Sequence, residues 1–270
     1  MKIGNRIFDI ENKAYIMGIL NVTPDSFSDG GKWNNIDKAL FRVEEMINEG
    51  MDILDVGGES TRPGYVQISV EEETERVVPM IENIKSRFDI PLSLDTYKSG
   101  VAKAGIAAGA DLINDIWGLK YDGDMGRVIA EGNVACCLMH NKKIPEYSDF
   151  EKDLIPELKE SVFLAKETGI DDDKIILDPG VGFAKDVEQN LKCIALIDRM
   201  RELGYPVLLG CSRKSVIGNV LNLPVEERLE GTIATTVAGV LKGAAFIRVH
   251  DIKENKRALD MALAIRNSGF

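Results

Sequence analysis

Tyr15-Ile-Met-Gly-Ile-Leu20 is an apolar run of strand length, and Asp52-Ile-Leu-Asp-Val-Gly57 is a second one. Between them Ile36, Ala39, Leu40, Val43, Met46 and Ile47 keep the i, i+3, i+4 rhythm of a helix with one buried face. Asn34 or Asn35 is expected to cap that helix, and Gly50 stands where a left-handed terminator belongs. An apolar strand, an amphipathic helix and another apolar strand make the unit of a parallel sheet covered on its faces. The pattern repeats outward. Further strands are expected near residues 90–95, 111–114, 133–140, 174–178, 206–211 and 244–250. Helical stripes recur at Leu191/Ile194/Ala195/Ile197, Leu229/Ile233/Val237/Val240/Leu241 and Ala258/Met261/Ala262/Ile265. Pro79, inside the helical pattern of residues 70–86, should kink a helix there. Eight such units in 270 residues predict an α/β fold, a (β/α)8 TIM barrel, in preference to an open doubly wound sheet. No linker divides residues 1–270, so a single domain is expected, with residues 1–14 as a short N-terminal hairpin plugging the barrel and the barrel itself running from residue 15.

Composition sets the outer bounds. A chain that is 44% hydrophobic and 29% charged suits a soluble globular protein. A net charge of −11, with no Lys/Arg run, argues against nucleic acid or an anionic membrane as partner. An anionic substrate would feel a repulsive overall field, so it needs a local cationic cluster, which salt screening permits. The first ten residues carry charges where a signal peptide needs an unbroken apolar core, and a cytoplasmic location is expected. Of the four cysteines, the adjacent Cys136 and Cys137 should point to opposite faces of a strand as small buried hydrophobes. With His140 and His250 as the only histidines, a His-rich metal centre is excluded.

In a barrel of this kind the site lies at the carboxyl ends of the strands. Those ends offer Asn21, the run Asp55-Val-Gly-Gly-Glu-Ser-Thr-Arg-Pro-Gly64, Asp95, Asn114-Asp115, Met139-His140, Asp178-Pro-Gly-Val-Gly-Phe183, Ser212-Arg-Lys214 and Arg248-Val-His250. One polar strand end is ordinary turn or cap chemistry. Eight at once is not. Asp95, Asn114, Asp178, Lys214 and Arg248 on one rim would put opposed charges in one cleft. The first loop, Asn21-Val-Thr-Pro-Asp-Ser-Phe-Ser-Asp-Gly-Gly31, is long and polar, as a surface Ω-loop or a functional loop would be.

Several of these stretches are long signatures in a fixed order. They include Gly18-Ile-Leu-Asn-Val-Thr-Pro-Asp-Ser-Phe-Ser-Asp-Gly-Gly31, the run from Asp55 to Gly64, Leu94-Asp-Thr96, Ile113-Asn-Asp115, Leu177-Asp-Pro-Gly-Val-Gly-Phe183, Ser212-Arg-Lys-Ser215 and Ile247-Arg-Val-His-Asp251. Through them residues 17–258 resemble the dihydropteroate synthase family. The chain departs from the family pattern at His140-Asn-Lys-Lys-Ile-Pro145 and at Val216, both beside the charged centre.

The resemblance implies a transferase acting on small molecules. It would join 6-hydroxymethyl-7,8-dihydropterin diphosphate to p-aminobenzoate, giving 7,8-dihydropteroate and diphosphate. By the same resemblance, Asp95, Lys214 and Asp25 would be catalytic, and Asp95, Asn114, Asp178 and Lys214 would hold the pterin. Asn21, Thr61, Arg248 and His250 take the diphosphate, with Asn21 also serving Mg²⁺. Phe27, Thr61, Arg62, Pro63, Phe183 and Ser212 form the p-aminobenzoate pocket, and a homodimer through the late helices is implied. Without the family, Asp178 reads as an Asp-Pro-Gly turn, Asp95 as a helix cap and His250 as a satisfied strand-end histidine. Arg213 is expected to pair with an acid, and Trp33 and Trp117 to serve packing. Three rival readings stand beside this one. A methyltetrahydrofolate–corrinoid methyltransferase shares the pterin floor but lacks both the first loop and the Thr61-Arg62-Pro63 element. A non-catalytic pterin-binding barrel should have lost charged rim residues. A Schiff-base aldolase using Lys214 rests on fold analogy alone.

Overall fold

Each apolar run becomes a parallel strand in the structure, a computed structural model that describes residues 1–22, 32–60 and 66–269, with only the backbone path for residues 32–35. A small antiparallel pair, β1 (Lys2–Ile3) and β2 (Arg6–Ile7), precedes eight strands: β3 (Tyr15–Asn21), β4 (Ile53–Gly57), β5 (Leu92–Asp95), β6 (Leu112–Asp115), β7 (Ala135–Met139), β8 (Ile175–Asp178), β9 (Leu208–Leu209) and β10 (Phe246–Val249). Their order is β8-β7-β6-β5-β4-β3-β10-β9. A parallel bridge from Leu177 to Val207, next to a 3.0 Å bond from the Leu177 N–H to the Pro206 carbonyl, joins the two ends. The ring is therefore a closed (β/α)8 barrel. The described helices are α1 (Lys32–Asn48), α2 (Val70–Arg87), α3 (Ser99–Ala108), α4 (Met125–Gly132), α5 (Phe150–Glu167), α6 (Val187–Ala195), α7 (Ile197–Arg201), α8 (Ser215–Leu221), α9 (Leu229–Leu241) and α10 (Ile252–Asn267).

Strand periodicity sorts the apolar residues into two cores. Ile16, Leu54, Val56, Leu94, Ile113, Cys136, Leu177 and Ile247 face outward against the helices. Met17, Ile53, Leu112, Cys137, Ile176, Leu208 and Phe246 fill the amino-terminal half of the barrel interior. Ile3 and Phe8 from the hairpin segment join that inner cluster, with Phe8 edge-on to Tyr15 at 4.8 Å, so the hairpin does plug the barrel. Cys136 and Cys137 fall in different cores, as strand geometry requires, and all four cysteines are buried and free. Full burial of an aliphatic side chain contributes about 1.5–3 kcal/mol, so these two layers dominate the stability of the scaffold.

Three local expectations change. Helix α1 begins at Lys32, so Asn34 and Asn35 lie inside it and not at its cap, while Gly50 does adopt φ +100°. Helix α2 runs unbroken through Pro79, which sits on the exposed face where the carbonyl lacking an N–H partner can meet water. Strands β7 and β9 are shorter than their apolar runs, because the ends of those runs pass into loops.

Candidate active site

Alternation along the strands also makes the upper interior polar. On β4, Ile53 belongs to the inner apolar core, so Asp55, two residues on, enters the barrel above it. Asp95 and Asn114 are register partners on β5 and β6, and Met139 and Asp178 on β7 and β8. All three polar residues end or nearly end their strands and are buried.

Arg248, on β10, organises this floor. Its Nε donates to Asp55 Oδ2 at 2.7 Å, and its Nη2 lies 2.7 Å from that oxygen and 2.6 Å from Asp95 Oδ2. Ser93 donates to the other Asp55 oxygen at 2.5 Å. Asp95 Oδ1 is buried and has no hydrogen-bond partner among the described residues. Burial pushes the Asp95 carboxyl up to about 7, with Arg248 opposing and the Asp55 charge reinforcing the shift. Burial by itself would lower Arg248, but Asp55 and Asp95 outweigh it and hold the guanidinium firmly charged.

Asp178 accepts from the Gly180 N–H at 2.7 Å through Oδ1, and burial raises its pKa above the ordinary carboxylate range against the pull of Lys214. Lys214, just before α8, donates to the Val181 carbonyl and places its Nζ 4.9 Å from the Phe183 ring centre. Burial lowers its pKa, while Asp178 resists. Tyr97, Ile116 and Met139, with Trp117 and Phe183 packed against them, form an apolar ledge. Ser212 Oγ lies 2.9 Å from His250 Nδ1 and accepts from the His250 N–H at 3.2 Å. Arg213 grips Asp251 with Nε at 2.9 Å and Nη2 at 2.5 Å, the structural pairing expected of it.

The structure thus brings together Asp95, Asn114, Asp178, Lys214 and Arg248 at one end of the barrel, with Asn21, Phe183, Ser212 and His250 at strand ends on the same rim. Asp25, Phe27, Thr61, Arg62 and Pro63 lie outside the described residues, as does the side chain of Trp33. Two features escaped sequence reasoning. Asp55 carried no role, although an acid inside an otherwise apolar strand was its signal. Lys185 has no acid within ion-pair distance among the described residues and donates to the carbonyls of His140, Gly180 and Phe183 at 3.2, 3.1 and 3.0 Å, tying the end of β7 to the turn after β8. Burial lowers it to about 8.

Asn21 closes β3 half-buried, and its Oδ1 would stand 3.8 Å from a β-carbon on Gly57. Among the described residues no cluster of three or more His, Cys, Asp or Glu is arranged to hold a metal. A single amide oxygen fits Mg²⁺, which takes few protein ligands and completes its shell with water and phosphate.

The closed barrel and its rim define a class, a (β/α)8 enzyme with a charged cleft at the carboxyl ends of its strands. The chain belongs to the pterin-binding enzyme family, whose model matches residues 17–250. It is 60% identical to a dihydropteroate synthase of Clostridium beijerinckii over 97% of both chains. Against the Bacillus subtilis dihydropteroate synthase the identity is 51%, over 96% of this chain and 91% of the relative. The solved dihydropteroate synthase from Clostridium difficile, in the presence of pteroic acid, superposes with a TM-score of 0.93 at 48% identity, covering 96% of this chain and 99% of that one. A Yersinia pestis dihydropteroate synthase with a sulfonamide drug complex gives 0.91 at 39% identity, covering 99% of each.

Proposed function

We infer that this chain catalyses dihydropteroate synthesis, condensing 6-hydroxymethyl-7,8-dihydropterin diphosphate with p-aminobenzoate. The observation that carries the reading is the constellation of buried Asp95, Asn114 and Asp178 with half-buried Lys214 and Arg248 in a chain of this identity to dihydropteroate synthases. The chemistry needs little more than such a floor. A pterin presents adjacent N–H donors, which suit the Asp178 carboxylate, and a mixed edge, which suits the Asn114 amide with Lys214 as donor. The C–O bond electrons leave with diphosphate, and the pterin methylene is left cationic. The aniline lone pair closes the C–N bond, and its proton passes to solvent.

Asp95 is positioned to offset the developing cation, since a fixed carboxylate in a dry site is worth far more than one in water. Arg248, His250 and Thr61 are assigned to the diphosphate; Phe183, Ser212, Thr61, Arg62, Pro63 and Phe27 to p-aminobenzoate; Asp25 to the first loop's catalytic contribution. Asn21 would hold Mg²⁺ through Oδ1, and the bound ion would supply positive charge to the departing diphosphate.

A homodimer belongs to the same proposal. Val187 and Leu191 of α6 and Val220 and Leu221 of α8 leave apolar side chains in solvent on neighbouring helices, which supports association through that face. A cytoplasmic location is also proposed, and four free cysteines suit a reducing compartment. No described helix is long and apolar enough to cross a membrane. The test is incubation with the pterin diphosphate, Mg²⁺ and p-aminobenzoate. Stoichiometric diphosphate and dihydropteroate are expected, and pterin binding without turnover would overturn the reading.

A further inference from the structure

We propose that Asp55 is a positioning residue, which holds Arg248 away from Asp95 Oδ1 so that this oxygen stays open to the reacting pterin. Asp55 is wholly buried and lies on β4, one strand from Asp95 on β5, and none of the substrate contacts assigned to the rim falls to it. Its partners account for both oxygens. Ser93 donates to Oδ1 at 2.5 Å, while Oδ2 takes Arg248 Nε and Nη2, each at 2.7 Å. Arg248 touches Asp95 with Nη2 alone, at 2.6 Å on Oδ2.

This arrangement is not the one an isolated pair would choose. An arginine beside a single carboxylate prefers two parallel N–H···O bonds, one to each oxygen. With that geometry on Asp95, both oxygens would be occupied and the charge largely neutralised. Here the fork is turned toward Asp55, and Asp95 keeps one buried oxygen without a partner among the described residues. A buried acceptor left unpaired is costly, and such groups are expected where a ligand supplies the missing contact. Asp55 therefore makes the guanidinium a counter-ion shared between two buried acids, and leaves one oxygen of Asp95 without a competing donor.

The proposal rests on the reading that Asp95 offsets the cation, and a double-mutant cycle separates the two. Asp55→Asn preserves shape and leaves oxygen and nitrogen for Arg248 and Ser93, but the fork should then settle on Asp95. Single-turnover rates should fall by about ten- to a hundredfold, the scale on which orienting partners of a site act, while KM for the pterin diphosphate changes little. In an Asp95→Asn background the same change should have almost no further effect, because the residue it acts through is gone. If the two losses multiply, or if Asp55→Asn leaves the rate unchanged, Asp55 does not act through Asp95 and the proposal fails. If Asp95→Asn alone leaves the rate intact, the underlying reading of Asp95 fails with it. Circular dichroism checks that each variant is folded. Should Asp55→Asn not fold, Ser93→Ala decides the matter on the same criterion, since it loosens Asp55 without altering any charge and should slow the wild-type background several-fold but the Asp95→Asn background hardly at all.

Discussion

Two residues carry predictions of their own. Asp95 is raised by burial to about 7, against Arg248 and with help from the Asp55 charge. Its ionised form is the one that can offset a cation, so kcat/KM should fall as the pH drops below about 7, where an unperturbed carboxylate would sustain activity to about 4. Asp95→Asn should lower the rate by a factor on the order of 10²–10³ and erase that acid limb. A variant with an unshifted limb would show that another group titrates. Gly180 is the second case. It sits at φ +70°, and a β-carbon there would lie 2.0 Å from the His140 carbonyl oxygen. Its N–H is also the donor that fixes Asp178. Gly180→Ala should cost about 1–3 kcal/mol of backbone strain and weaken pterin binding as the Asp178 turn deforms. An unchanged denaturation midpoint together with full pterin affinity in titration calorimetry would defeat this.

Between elements, β4, α2 and α3 are tied by charge. Lys98, which precedes α3, donates to Glu59 at 2.6 Å, to Glu73 of α2 at 2.7 Å and to the Ile68 carbonyl at 2.8 Å. Tyr97 adds a 2.5 Å bond to Glu59, and the three charged side chains are each less than 5% exposed. A buried ion network gains little over a hydrophobic one, but removing one partner strands the others. Lys98→Met leaves two facing carboxylates in the interior and should destabilise by about 3–5 kcal/mol in urea denaturation. Glu73→Gln should be milder, since Lys98 keeps Glu59. Equal effects of the two changes would mean that the network is not organised around the lysine.

For the whole molecule, the decisive question is association. The apolar residues left exposed on α6 and α8 predict a dimer in sedimentation equilibrium at micromolar concentration. Leu191→Arg with Leu221→Arg should yield a folded monomer, because two charges would have to be desolvated in the interface. A wild-type monomer under the same conditions would remove the proposed interface.

Much of this protein was legible in order along the chain. Period-2 and period-3.6 patterns report on one strand or helix at a time, so the eight units, the inward and outward fates of Cys136 and Cys137, and the polar strand ends followed from residue spacing. So did the candidate floor, because a parallel barrel has only one end where βα loops gather. Closure did not follow, since the contacts of Leu177 on β8 with Pro206 and Val207, just before β9, join residues whose neighbours give no local sign of it. Nor did the true partners of Arg248. A side chain on the last strand meets acids on β4 and β5 only after the ring has closed, at sequence separations of 193 and 153. Sequence determines which groups each element presents. Folding decides which of them meet, and there the balance of burial, charge and hydrogen bonding turns an ordinary aspartate into a shared counter-ion's anchor.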